Sequence, residues 1–175
     1  AGLKNQVLEA FHYRKIAASV FTAIFENSKK MFENFDSAQA ALAATTAQGR
    51  EFNDVLYETG RQGNLFGISM EKAASAIGVL VNETSNFTSL SKAQQENVAL
   101  TVAKMEQLNV AASDSAKIFQ NFNQGLGISA DESIRIQKEL AMAGVSIGIS
   151  ASKITKDFNA ALSTLMVYGR ESIDV

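Results

Sequence analysis

The chain has 175 residues, 46% of them apolar and only 19% charged, with no Pro, Cys or Trp and a net charge of −2. That is enough chain for one domain with a core, and too apolar for a disordered, highly charged tail. It excludes a disulfide framework and a thiolate metal site, and it disfavours a duplex-DNA reader, which needs a basic face to neutralise phosphates.

Without proline, helices can run long. From Leu3 to Gln48 there is neither Gly nor Pro, and steps of four and three from Leu3 pass through Val7, Phe21, Ile24, Met31, Phe35 and Leu42. Phe11 and Phe25 widen this seam into a band too broad for a lone helix, which predicts contact with neighbouring chains, with an internal core as the alternative for the phenylalanines between Phe11 and Phe35. Residues 1–60 are therefore expected to be a long helical, oligomerising segment of coiled-coil or bundle type, as a homo-oligomer, with a trimer or hexamer favoured. "ETGRQGNLFG" (58–67), with its three glycines, reads as the linker out of it.

After Gly67 the texture changes to short amphipathic segments between punctuation marks. Ala73, Ala74, Ile77 and Val81 share one helical face after Ser69, and Val98, Thr101, Val102, Met105 and Leu108 share another after Ser91. Ile118, Phe119 and Phe122 follow Ser113, Ile134, Ile136, Leu140 and Ala141 follow Ser129, and Ile154, Phe158, Ala161, Leu162 and Leu165 follow Ser150. No segment alternates with period two, so the fold class is all-α, with residues 61–175 an array of short helices.

The marks repeat. Gly-Ile-Ser occurs at 67–69, 127–129 and 148–150, and Gly127, Gly148 and Gly169 stand 21 apart. A phosphate loop would need Gly-Lys-Ser/Thr or Gly-x-Gly-x-x-Gly after a strand, and neither is present. The stronger reading is helix punctuation: Gly ends one helix in the left-handed conformation, Ile packs at the junction, and Ser caps the next helix. Ser129 with Glu132, and Ser91 with Gln94, have capping-box spacing, and Asn109 stands 18 before Gly127 in a similar context. A helix-loop unit of this size cannot bury its own apolar face and must stack on neighbours. A longer repeat is also visible: "AALAATTAQGREFNDV" (40–55) and "AALSTLMVYGRESIDV" (160–175) agree at eight of sixteen positions.

Chemistry is hard to find. His12 is the sole histidine, so neither a His–His metal pair nor a Ser-His-Asp site other than one using His12 can be drawn. The carboxylate pairs Glu51/Asp54 and Glu171/Asp174 each follow an arginine and read as surface ion pairing. No catalytic, metal or cofactor residues are assigned, and an enzyme is not expected. Arg14, Lys15, Lys29 and Lys30 read as the solvated face of the long helix. The uncharged runs fall short of the roughly 18–20 residues that cross a bilayer. Ala1 is not Met and no signal peptide opens the chain, which suggests a fragment of something longer.

Residues 57–100, "YETGRQGNLFGISMEKAASAIGVLVNETSNFTSLSKAQQENVAL", with the later Gly-Ile-Ser copies ahead of acidic first turns, resemble phage tail tape measure proteins, above all those of contractile-tailed, T-even-like phages. The likeness covers most of residues 35–175 and lies in short motifs rather than a catalytic signature. It implies a virion structural protein in the lumen of the tail tube near the baseplate hub. Such a protein is made in the host cytoplasm, sets tail length in assembly and leaves ahead of the DNA at ejection. Tail tube and baseplate hub proteins would be its partners, with membrane contact only after ejection and no sequence-specific nucleic acid. Two rivals remain: a helical signalling or adaptor coiled-coil module, which would show unbroken heptads, and a membrane-active helical protein.

Overall fold

The computed structural model describes residues 19, 22, 26, 29 and 30, 32–48 and 50–171. The described residues form helices and connecting turns with no strand among them, so the chain is all-α. They fall into two compact units, Ala1–Ser37 and Ala38–Val175. In the first, residues 32–37 are helical and Lys29 pairs with Glu33 one turn on, at 3.9 Å. His12 and the seam positions Leu3, Val7, Phe11, Phe21, Ile24, Phe25 and Met31 lie outside the described residues. Phe35 is helical and half-buried.

The second unit runs through α1 (residues 38–46), α2 (Asn53–Asn64), α3 (Met70–Glu83) and a 3-10 turn (Phe87–Ser89) to α4 (Lys92–Gln107). There follow α5 (Ala112–Gln120), which continues into a π-helical turn (Asn121–Gly125), then α6 (Ala130–Ser146) and α7 (Ala151–Glu171). Helix α4 is central, packing against α2, α3, α5 and α6. Its buried residues include Val98, Ala99, Val102, Ala103 and Met105, too many faces for a simple amphipathic stripe but suited to a helix enclosed by others. Gln95 is buried with them and donates its amide to the Phe87 carbonyl at 3.0 Å, which satisfies a polar group that would otherwise be costly inside.

Leu56, Ile77, Leu80 and Phe87 are fully buried around α4, and Phe52 meets the Phe87 ring at 5.9 Å between centroids. A second cluster joins Ile118, Phe122 and Leu162, where Phe122 takes the Phe158 ring edge-on at 5.8 Å. Burying each such side chain contributes about 1.5–3 kcal/mol. Ile154 and Phe158 are half-buried, Ala161 is exposed, and the side chain of Leu165 lies outside those described.

Several expectations need correction. The second unit begins at Ala38 rather than after residue 60, because α2 buries Val55, Leu56, Thr59, Gly60 and Gly63 and packs against α3 and α4. The supposed linker 58–67 is mostly helix for the same reason: Gly60 and Gly63 are close-approach points for Met70 and Ile68, and only Gly67 turns the chain. Leu42, assigned to an oligomer seam, is 2% exposed and lies over Gly78 of α3 within its own chain. Leu108, expected on the apolar inner face of its helix, is exposed.

Gly169, expected to mark a turn, lies inside α7. The two copies of the long repeat therefore take different backbones. In the first, Thr46 donates its hydroxyl to the Leu42 carbonyl at 2.8 Å and accepts from the Gln48 N–H, and Ala47 turns to φ +53°. The same hydroxyl gives the Gln48 N–H a local partner just beyond the helix end. Met166 stands at the corresponding place in the second copy, has no such group, and the helix continues.

Candidate functional site

Three connectors share one construction. Gly67, Asn109 and Gly148 take φ of +73°, +60° and +76°. Each donates its N–H three residues back, to Asn64, Glu106 and Val145 at 3.1, 3.0 and 3.1 Å. The next residue donates five back, Ile68 to Gly63, Val110 to Met105 and Ile149 to Gly144, at 3.0, 3.1 and 2.9 Å. This is the Schellman pair that satisfies the last carbonyls of a helix. The left-handed residue costs most side chains about 1–2 kcal/mol, a cost that Gly avoids and Asn tolerates. At the fourth connector Gly127 has φ +68°, but Ile128 donates six back, to Phe122 at 2.9 Å, because the π turn inserts one extra residue.

The residue after each mark faces inward, Ile68 and Val110 fully, Ile128 and Ile149 in part. The next residue opens the following helix. Ser69 and Ser129 accept from the third N–H of α3 and α6, each at 3.3 Å, and Ser150 from that of α7 at 3.2 Å. Ser91 makes the full capping box with Gln94 at the start of α4. Two assignments differ. Ser113 lies one residue inside α5, whose N-cap is Ala111, with no side-chain cap. Glu132 does not complete a box with Ser129, because its carboxylate is held by Arg135 at 2.9 Å.

A further feature, beyond what the motif pattern predicts, precedes each mark. Phe66, Leu108, Leu126 and Ile147 stand one residue before the left-handed position, and all are exposed. The signal was present as the repeated pattern apolar, Gly or Asn, Ile or Val, Ser or Ala. Its first position carries a large apolar side chain where the geometry asks only for a solvated residue.

Three of these connectors lie at one end of the array. Gln107 donates to the Gly67 carbonyl at 3.3 Å, and the Lys104 ammonium sits 3.5 Å from the centre of the Phe66 ring, which brings α2–α3 beside α4–α5. Met105 and Val110 pack with Ala141 and Ala151, which brings α4–α5 beside α6–α7. This end exposes Leu65, Phe66, Leu108, Met142, Val145 and Ile147, from 45% exposed at Leu108 to 83% at Leu65. At the opposite end Asn86 donates to Asn123 and Gln124 donates to Ser85 at 2.5 Å, so α3–α4 meets the π turn through amides and hydroxyls, with Leu126 beside them.

Charge is distributed unevenly around the apolar end. Partial burial and then the neighbouring Lys138 cation hold Lys104 below the ordinary lysine pKa. Among the described residues no carboxylate pairs with either lysine. The Glu106 carboxyl is pushed up by burial, with Lys72 acting against the shift, and its Oε2 is buried without a hydrogen-bond partner. Elsewhere, exposed pairs such as Lys153–Asp157 at 2.8 Å lace the helix surfaces, and Asp54 meets Lys92 of α4 rather than an arginine of its own helix. Among the described residues no group of His, Asp or Glu could hold a metal ion, and no helix is long and apolar enough to cross a membrane.

Comparison with protein-family models, with curated proteins and with solved structures finds no match to this chain.

Proposed function

We propose that the chain is a non-enzymatic structural segment of a phage tail of the tape measure kind, in which tandem helical hairpins are the length-bearing unit. The carrying observation is the connector built to one plan at Gly67, Asn109 and Gly148, which ends one helix and starts the next with a fixed three-residue joint. Joints of this kind let an array extend by adding copies, each new hairpin burying the face of the last. On this reading the protein lies in the tail tube lumen near the baseplate hub, assembles as a homo-oligomer, and departs ahead of the DNA. It needs no cofactor.

The signalling or adaptor coiled-coil reading fits less well, because left-handed residues interrupt the helices of the array where a coiled coil would keep its heptads. The direct test is tail length. Deleting residues 109–147 from the gene is expected to shorten tails seen by electron microscopy, by up to about 1.5 Å per residue removed if the segment is helical along the tail axis. Duplicating the same hairpin is expected to lengthen them. Tails of unchanged length in both variants would overturn the reading.

A further inference from the structure

Single exposed apolar side chains are ordinary, but contiguous groups of them mark binding sites. Among the described residues, six of the nine exposed large hydrophobic side chains sit at the one end formed by the α2–α3, α4–α5 and α6–α7 connectors. We propose that this end docks an acidic amphipathic helix of a partner chain, whose apolar stripe covers Phe66, Leu108 and Ile147 and whose carboxylates meet Lys104 and Lys138.

Spacing supports a helix as the occupant. Helix α4 packs directly against both α2 and α6, and packed helices lie about 8–10 Å apart, so the ends of α2, α4 and α6 recur at about that interval. Seven residues of α-helix rise about 10.5 Å, so a helix laid across the three ends meets them with side chains at i, i+7 and i+14.

Charge sets the chemistry of that helix. Lys104 stands one turn before Leu108 and Lys138 one turn before Met142, so both ammonium groups rim the apolar row. The Lys138 cation is near enough to repel that of Lys104, neither lysine is ion-paired with a carboxylate among the described residues, and Lys104 rests on the Phe66 ring. Like charges held together in this way are relieved by an anionic partner. A membrane surface is a weaker match, since two lysines attract an anionic bilayer by only about 1 kcal/mol each.

This inference rests on reading the chain as a structural array that binds other chains, and its test is separate from tail length. The full chain is titrated by fluorescence anisotropy against three labelled synthetic helices. One has leucines at i, i+7 and i+14 flanked by Glu, one has the same leucines flanked by Lys, and one has the Glu composition with the stripe scrambled. The Glu-flanked helix is expected to bind at least about tenfold more tightly than either other. K104E/K138E is expected to reverse the preference, and L108S/I147S to abolish binding with an unchanged circular dichroism spectrum. Equal binding of the Glu and Lys helices, or binding of none, overturns the proposal. So does preferential sedimentation with phosphatidylserine vesicles, which would make the end a membrane contact. Self-association that L108S/I147S abolishes also overturns it, with a second copy as the occupant of this end. Shortened tails without helix binding would leave the array standing and remove only this inference.

Discussion

Ile68 donates its N–H to the Gly63 carbonyl at 3.0 Å and lays its side chain against the same glycine, its Cβ 3.0 Å from where a Gly63 Cβ would stand. One residue thus closes helix α2 and fills the gap that the glycine leaves. Replacing Gly63 by Ala gains about 1 kcal/mol of helix propensity. It must displace a fully buried, β-branched side chain at its stiffest atom. Gly63→Ala is expected to destabilise the fold by about 1–3 kcal/mol net. At Gly60 the obstacle is the flexible end of Met70, which can swing aside, so Gly60→Ala costs less. Urea denaturation of the two variants checks the order; equal midpoints would mean that Ile68 yields as easily as Met70.

The connector marks separate backbone strain from packing. A Cβ on Gly148 meets nothing within 4 Å, so the whole cost of Gly148→Ala lies in the left-handed φ. That cost is about 1–2 kcal/mol. Asn109→Gly, at φ +60°, is expected to be neutral or slightly stabilising, while Asn109→Val loses stability. Thermal unfolding of the three variants gives the comparison, and a stable Gly148→Ala would show that the connector can relax to another turn.

Capping distinguishes the serines. Ser129→Ala and Ser150→Ala each remove an acceptor from a helix start and are expected to cost about 1 kcal/mol. Ser113→Ala removes no cap and is expected to stay within about 0.5 kcal/mol of the parent. Denaturation midpoints of the three variants decide whether cap geometry or mere serine content matters.

These contrasts also show what the sequence reveals. The Gly-Ile-Ser marks were legible because left-handed glycine, inward Ile and capping Ser each follow from local chemistry, and Asn109 came with them by its context. Ser113 and Gly169 misled because the same residue types serve elsewhere. Ala111 occupies the cap position without a side-chain bond, and Gly169 lies within α7, which continues through it to Glu171. The three glycines of 58–67 looked like a flexible linker because composition cannot tell a hinge from a close contact; only the position of Ile68 and Met70 does. The apolar end stayed hidden for a different reason. Leu108 continues the inward face of α4 in periodicity, and its exposure depends on which helices stop beside it.

The Glu106 carboxyl gives the fold a pH dependence. Its folded pKa is raised, so folding favours the protonated form, and ionised Glu106 penalises stability above that pKa. The penalty fades as pH falls through the raised value toward the ordinary glutamate value of about 4.3. Glu106→Gln is therefore expected to stabilise the protein near pH 7 by about 0.5 kcal/mol, a figure kept small because the group is partly exposed. The difference should close in acid. Denaturation of both proteins across that range tests the sign; a variant less stable than the parent near pH 7 would mean that the Lys72 attraction outweighs burial.

The central claim is that this chain is a helical scaffold that works as an assembly. Light scattering on the purified protein, with circular dichroism on the same sample, tests it most directly. A helical trimer or hexamer is the expected result. A cooperatively folded helical monomer at every concentration would contradict it.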